Sequence, residues 1–130
     1  MVELNRTVYE RIGGDKTVSA LVEAFYTNVA GDPILAPIFP NDLTETKRKQ
    51  QQFLTQFLGG PSLYTEEHGH PMLRARHLPF PITPRRAKAW LTCMERAMDE
   101  INLPSPEREE MMARLTMTAH HMVNQPEEHR

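Results

Sequence analysis

The chain has a single cysteine, Cys93, which excludes an intramolecular disulfide and fits a reducing compartment. It has no apolar run approaching the roughly 18 residues of a membrane-spanning helix. It also has no basic-then-apolar leader, so the expected location is the cytoplasm, away from membranes. There is no surplus of positive charge. At a net charge of −2, and with no basic recognition helix, the chain is not expected to bind nucleic acid through a helix-turn-helix. No Gly-x-Gly-x-x-Gly occurs, so it carries no flavin or nicotinamide fingerprint of its own. No alternating apolar–polar run marks a strand, and there is no internal repeat or low-complexity tract.

What is present suits one helical domain. A length of 130 residues supports one core, and 39% apolar with 25% charged residues is ordinary for a globule. Eight methionines suit irregular apolar space, and eleven prolines are too many for helix interiors, so they mark joints. Thr7-Val8-Tyr9-Glu10 has capping-box form and opens a short helix that ends at Gly13-Gly14. Asp15 is expected to cap a second helix. Val18, Leu21, Val22, Phe25 and Val29 share its apolar face, Tyr26 flanks that face, and Gly31 supplies a stop. Asp32-Pro33 signals another short helix, and Pro37-Ile38-Phe39-Pro40 an irregular corner that delivers Phe39 inward.

A long helix opens at Leu43-Thr44 and runs to Gly59-Gly60-Pro61. Residues 61–71 read as a loop holding Tyr64 and His68-Gly69-His70, and Pro71 starts a short helix ending at His77. Thr83-Pro84 caps a helix with Trp90, Leu91, Met94, Ala97, Met98 and Ile101 on one face. It ends near Asn102-Leu103-Pro104, and Ser105-Pro106 repeats the cap signature. The last helix carries Met111, Met112, Leu115, Ala119 and Met122. The fold class is therefore all-α, with four substantial helices and two or three short ones. They form a single domain over residues 1–130, with a frayed tail over 126–130.

Two stretches carry the chemistry. In Arg74-Ala75-Arg76-His77-Leu78-Pro79-Phe80-Pro81-Ile82, a histidine sits between basic residues and a proline-punctuated apolar run. Pro79 biases Leu78 towards an extended backbone, so the helix ends there and aims an imidazole into an apolar neighbourhood. Such an imidazole could be a buried, hydrogen-bonded histidine or an axial ligand for haem iron, with cations at the rim for propionates. In the third long helix, Phe53, Leu54 and Phe57 form an apolar stripe that continues backwards into Gln50 and Thr46. Those two either mark an exposed helix end or face a pocket whose guest takes hydrogen bonds. Phe39 could stack on a porphyrin, and Lys49, Arg76 or Tyr64 could reach its propionates. A metal-only site built from His68, His70, His77, His120 and His121 is the alternative. However, His120 and His121 point to different helix faces, and no cysteine or carboxylate stands at ligand spacing. A haem-free helical module is the structural alternative. With no Cys-x-x-Cys-His, any haem would be held without thioether links.

From Tyr9 to about Gln125 the chain resembles the truncated haemoglobins, specifically their second group. The resemblance rests on Gly13-Gly14, Phe25-Tyr26, Phe39-Pro40, Phe53 through Gly59-Gly60-Pro61, Tyr64, Gly69-His70-Pro71, Arg76-His77-Leu78-Pro79-Phe80 and Trp90-Leu91. It implies a shortened globin fold, two helices stacked over two around non-covalent haem b. It implies that His77 is the proximal iron ligand and that Tyr26 and Trp90 are distal. Thr46 falls where many globins place a distal histidine, and Gln50 falls at a distal position often apolar in relatives. Phe39 packs on the haem, without the hydroxyl some group members carry there. Pro40, Leu43, Lys49, Phe53 and Tyr64 are expected to line the haem, as are Met72, Arg76, Phe80, Ile82 and Met94. The implied ligands are dioxygen, carbon monoxide and nitric oxide. Redox turnover on nitric oxide or peroxide would require a separate reductase. The expected assembly is a monomer or weak dimer.

Overall fold

The protein is described by a computed structural model covering residues 6–127. The described chain is all helix, irregular turns and loops. The helices are α1 (Val8–Ile12), α2 (Asp15–Ala30), α3 (Thr44–Phe57), α4 (Leu63–His68), α5 (Leu73–His77), α6 (Pro84–Glu100) and α7 (Glu107–Met122), with a 3₁₀ turn at Ala36–Ile38 between α2 and α3. The four long helices pack as two pairs, α2 with α3 and α6 with α7, and α2 also lies against α6. This is the expected two-over-two sandwich. No helix is long and apolar enough to cross a membrane among the described residues.

Local signals account for most of the boundaries. Thr7 and Glu10 form the reciprocal capping box, and Gly13 ends α1 at φ 111°, a conformation an L side chain rarely adopts. Thr83 Oγ1 accepts from Arg86 N at the start of α6, with Pro84 in its first turn. Asp32 Oδ1 accepts from Ile34 N and Leu35 N, which turns the chain into the Pro37 corner. The apolar stripes of α2, α6 and α7 meet in one core, where Phe25, Leu21, Met94, Met98, Met111 and Leu115 are fully buried.

Several boundaries differ from expectation. Asp15 does not cap α2. It is the first helical residue, Gly14 holds the cap position at φ 72°, and the Asp15 carboxylate accepts from Gln51 Nε2 instead. Ser105 does not cap α7, because Pro106 occupies that place and the Ser105 hydroxyl donates to Glu109. The fifth helix starts at Leu73 rather than Pro71, after Met72 in a left-handed conformation. Leu78 keeps helical angles instead of turning extended, yet α5 still ends at His77, before Pro79 removes the next backbone donor. The expected loop 61–71 contains α4. Its amide cap comes from α3, where Gln56 Oε1 accepts from Thr65 N and Gln56 Nε2 donates to Thr65 Oγ1. A cap supplied by tertiary contact leaves no local sequence mark. Of the expected frayed tail, residues 128–130 lie outside the described residues. Glu127 is tied down, its carboxylate accepting from Arg85 N.

Packing at the α1–α3 junction is tight. A Cβ on Gly60 would come within 2.9 Å of both Thr55 Cγ2 and the Tyr9 ring. Under it, Thr55 is fully buried and its hydroxyl has no partner among the described residues. An unpaired buried hydroxyl costs about 1–3 kcal/mol, and a methyl of the same shape would not. Thr55→Val is therefore expected to stabilise the protein by about 1 kcal/mol. A thermal melt should rise by roughly 3–5 °C, and a fall in the midpoint would show that the hydroxyl is paired in solution.

Candidate functional site

The sandwich holds a cavity of about 540 Å³ that is partly open to solvent, within the ordinary size of a cofactor site. Its wall is drawn from α2, the Leu35–Pro40 corner, α3, α4, α5 with the loop that follows it, and the inner faces of α6 and α7.

His77 lies on this wall at the end of α5, half-buried. Its Nδ1 is 2.7 Å from Leu73 O, one turn earlier. A carbonyl oxygen can only accept, so in the neutral ring the proton sits on Nδ1 and the free lone pair on Nε2. The ring is thus set in the tautomer a metal ligand needs. A second clamp comes from the far end of the chain. Asn124 Nδ2 donates to His77 O at 3.2 Å and to Phe80 O at 3.0 Å, while Asn124 Oδ1 accepts from Ile82 N at 3.0 Å. Ile82 O in turn accepts from the backbone N–H groups of Asn124 and Gln125. Nothing in the sequence marks Asn124, one asparagine near the last helix, as the strap for a distant loop.

Tyr26, Thr46, Gln50 and Trp90 all line the same cavity. Tyr26 is only 3% exposed, held edge-on by Phe25 and Phe39 with ring centroids at 4.8 and 5.9 Å. Burial pushes its phenol well above the ordinary range, so it stays a protonated donor. Trp90 packs its ring against Phe25 at 5.1 Å. Thr46 and Gln50 stand one turn apart on α3. None of these four side chains has a hydrogen-bond partner among the described residues. Their neighbours on α3 behave differently: Gln51 pairs with Asp15, Gln52 with Glu67 and Gln56 with Thr65. Of the α3 glutamines, the one without a partner, Gln50, is the one that faces the cavity.

Of the other expected lining residues, Phe39, Pro40, Lys49, Phe53 and Tyr64 are on the wall, as are Arg76, Phe80 and Ile82. Three are not. Leu43 holds the cap position of α3 and packs on the core from outside. Met72 is exposed and faces an outer groove with His70 and Met117. Met94, one turn beyond Trp90, is fully buried in the core. The expectation missed Arg86. It is half-buried on the wall, Nε donating to Ile34 O and Nη1 to Pro81 O. With Lys49 and Arg76 it makes three cations at the cavity, none of them ion-paired with a carboxylate among the described residues. The histidine-cluster alternative fails, since no group of three or more His, Cys, Asp or Glu gathers around a metal position among the described residues.

The fold and the site together define a globin. The profile of the bacterial-like globin family matches residues 7–124, and the chain belongs to that family, within its group II truncated haemoglobins. It is 66% identical over 119 residues to group 2 truncated hemoglobin YjbI of Bacillus subtilis (strain 168), covering 92% of this chain and 89% of that one. The crystal structure of the group II truncated hemoglobin from Bacillus anthracis superposes with a TM-score of 0.93 at 63% identity, covering 95% of each chain. The X-ray structure of truncated oxygen-avid haemoglobin from Bacillus subtilis gives a TM-score of 0.89 at 64% identity, covering 92% of this chain and all of that one. Globins of this family are haem proteins that bind small gaseous ligands. The residues present fit such a group: an apolar cavity, a histidine with a free Nε2, and cations without carboxylate partners for two propionates.

Asn124→Leu is expected to free the His77–Ile82 loop and destabilise the fold by about 2–3 kcal/mol. Hydrogen exchange should quicken at Phe80 and Ile82, whereas unchanged exchange there would remove the strap role. Arg48, and after it Gln52, hold the Glu67 carboxyl at about 2, and Arg48 pins α4 to α3 through that carboxylate. A carboxyl depressed in the fold contributes stability that is present above its ordinary range and lost as pH falls through about 2. An NMR titration should find Glu67 ionising near that value, and Arg48→Met should return it towards the ordinary range.

Proposed function

We propose that the protein holds non-covalent haem b with His77 as the axial ligand and binds dioxygen reversibly and tightly, with carbon monoxide and nitric oxide as further ligands. The observation that carries this reading is the convergence of four polar side chains without protein partners on the cavity that also holds a histidine with a free Nε2. Bound haem would supply an iron with one position open to a diatomic molecule. The residues supply the rest. Tyr26 O–H, Trp90 N–H, Gln50 N–H₂ and Thr46 O–H can each donate a hydrogen bond to a ligand that has gained negative charge. Each such bond contributes about 0.5–1.5 kcal/mol, so two or three slow release by about 10–1000-fold. Tyr26 does so across the physiological pH range because burial keeps its proton on. The absence of Cys-x-x-Cys-His supports the non-covalent form. The similar Bacillus subtilis protein is described as oxygen-avid, which supports tight binding here. We place the protein in the cytoplasm as a monomer or weak dimer.

The same donors favour a second reading, redox chemistry on nitric oxide or peroxide, because they stabilise negative charge whichever small molecule carries it. That reading requires electrons from a separate reductase.

The test is an absorbance spectrum of the purified chain, ferric, then reduced, then with carbon monoxide. An intense Soret band that moves at each step is expected, and a colourless protein that takes up no added hemin would refute the proposal. His77→Gly should lose axial ligation and regain it with added imidazole. Tyr26→Phe and Trp90→Phe should each speed dioxygen release by about tenfold. Sustained turnover of nitric oxide with an added reductant would favour the enzyme, and stable oxygenation the binder.

A further inference from the structure

The stretch beside the cavity mouth has a charge pattern that binding in the cavity uses only in part, through Arg76 and Arg86. From His68 to Met94 the chain contains no Asp or Glu, yet it holds Arg74, Arg76, Arg85, Arg86 and Lys88. In a chain of net charge −2, this makes the remainder more acidic than the total suggests. None of the five forms an ion pair with a carboxylate among the described residues; elsewhere Arg11, Lys47, Arg48 and Arg108 do, while Arg6, Lys16, Lys49, Arg96 and Arg114 do not. Arg74 reaches Val123 O, and Arg76 reaches His68 O and His70 O. Glu127, at the edge of the face, uses its carboxylate on the backbone N–H of Arg85. Between Arg76 and Arg85 the loop after α5 exposes Leu78 at 56% and Phe80 at 46%. Exposed apolar side chains, Leu78 among them off the cavity wall, on a stretch rich in cations and free of acids have the composition of a transient protein interface. Phe80, Arg76 and Arg86 also line the cavity, so the patch adjoins whatever the cavity holds.

We propose that this face docks an acidic one-electron carrier protein of the iron–sulfur or flavin class, which reduces the bound haem. The proposal rests on the haem reading above. The carrier gives up one electron and is oxidised by one unit, and ferric iron becomes ferrous. No bond in this chain forms or breaks. Charge complementarity selects a small acidic protein over other polyanions. A membrane sheet or a long nucleic acid would extend beyond the patch and meet the acidic remainder of the surface, which repels it. A compact protein touches the patch alone. Basic rim residues act mainly on the rate of encounter, and their effect falls as salt rises.

The test uses the full chain as purified and an acidic two-iron ferredoxin as probe. Oxidised ferredoxin is titrated into the isotope-labelled protein at low and at physiological ionic strength. Shifted amide resonances are expected between Met72 and Lys88, with affinity weakening by at least about tenfold at the higher salt. The variant Arg74→Glu/Arg85→Glu/Lys88→Glu changes no residue of the cavity wall, and Arg74→Gln/Arg85→Gln/Lys88→Gln is the gentler control. The charge reversal should slow reduction of the haem-loaded protein by reduced ferredoxin by about tenfold or more. The neutral set should fall between, and reduction by a photogenerated neutral flavin semiquinone should not change. Equal ferredoxin affinity in the reversed variant would overturn the proposal. So would shifts mapping elsewhere, or tighter binding to phosphatidylglycerol vesicles or duplex DNA than to ferredoxin. Because the titration needs no haem, a failure of the docking face and a failure of the haem reading are separately visible.

Discussion

The structure depends on keeping a large cavity open among four helices. If it were a dry void of about 540 Å³, it would cost on the order of 10 kcal/mol, as much as the whole stability of a typical domain. It therefore has to be filled. Poor packing is not the cause, because the same chain cannot take one methyl at Gly60 without a contact of 2.9 Å. The walls divide by chemistry. Leu35, Phe53 and Leu115 offer an apolar surface, which gains most from an apolar guest, while Tyr26 and Gln50 offer donors, which gain most from a polar one. A flat apolar disc carrying a small polar ligand satisfies both demands, and water satisfies only the second.

The polar groups of the site are settled in two opposite ways. Around His77 nearly everything is committed. Nδ1 is fixed on Leu73 O, the backbone of the following loop is held by Asn124, and only Nε2 is left free. Around Tyr26 and Gln50 nothing is committed, and the donors wait for a ligand. The first arrangement suits a permanent bond, since a rigid ring loses little freedom when it coordinates. The second suits an exchanging ligand, whose arrival satisfies donors that are otherwise unpaired. Burial of Tyr26 links the two halves. The Phe25 and Phe39 rings that pack edge-on against its ring also fix where the hydroxyl points.

Elements whose signals are local were legible from the sequence. The capping box at Thr7, the Thr83-Pro84 cap and the apolar stripes of α2, α6 and α7 all act within a few residues, and the structure has them. The polar half-stripe of α3 was also legible, since Thr46 and Gln50 interrupt a helical face at the right spacing. Elements whose causes lie elsewhere in the chain were not. The α4 helix is capped by Gln56, the His77 loop is strapped by Asn124, and Arg86 is drawn to the cavity by two carbonyls from separate segments. Met94 was misplaced for a related reason. Helical periodicity puts it on Trp90's face, but it cannot say how far along that face the cavity ends and the core begins.

Tight binding and turnover draw on the same donors, so the distal wall alone cannot decide between them. Hydrogen bonds that slow the release of a charged ligand lengthen the time in which a second reactant can reach it. What separates the two outcomes is the supply of electrons, and that is a property of the outer surface. A protein that only stores a ligand has no use for a basic, apolar-centred face beside the cavity mouth. Arg76 and Arg86 face the cavity, but Arg74, Arg85 and Lys88 on the same acid-free stretch stay available to a partner, at little cost while they are hydrated. The net charge of the chain conceals this, because an acidic remainder cancels it in the sum. The placement of charge, more than its total, points to how such a cavity would be kept reduced.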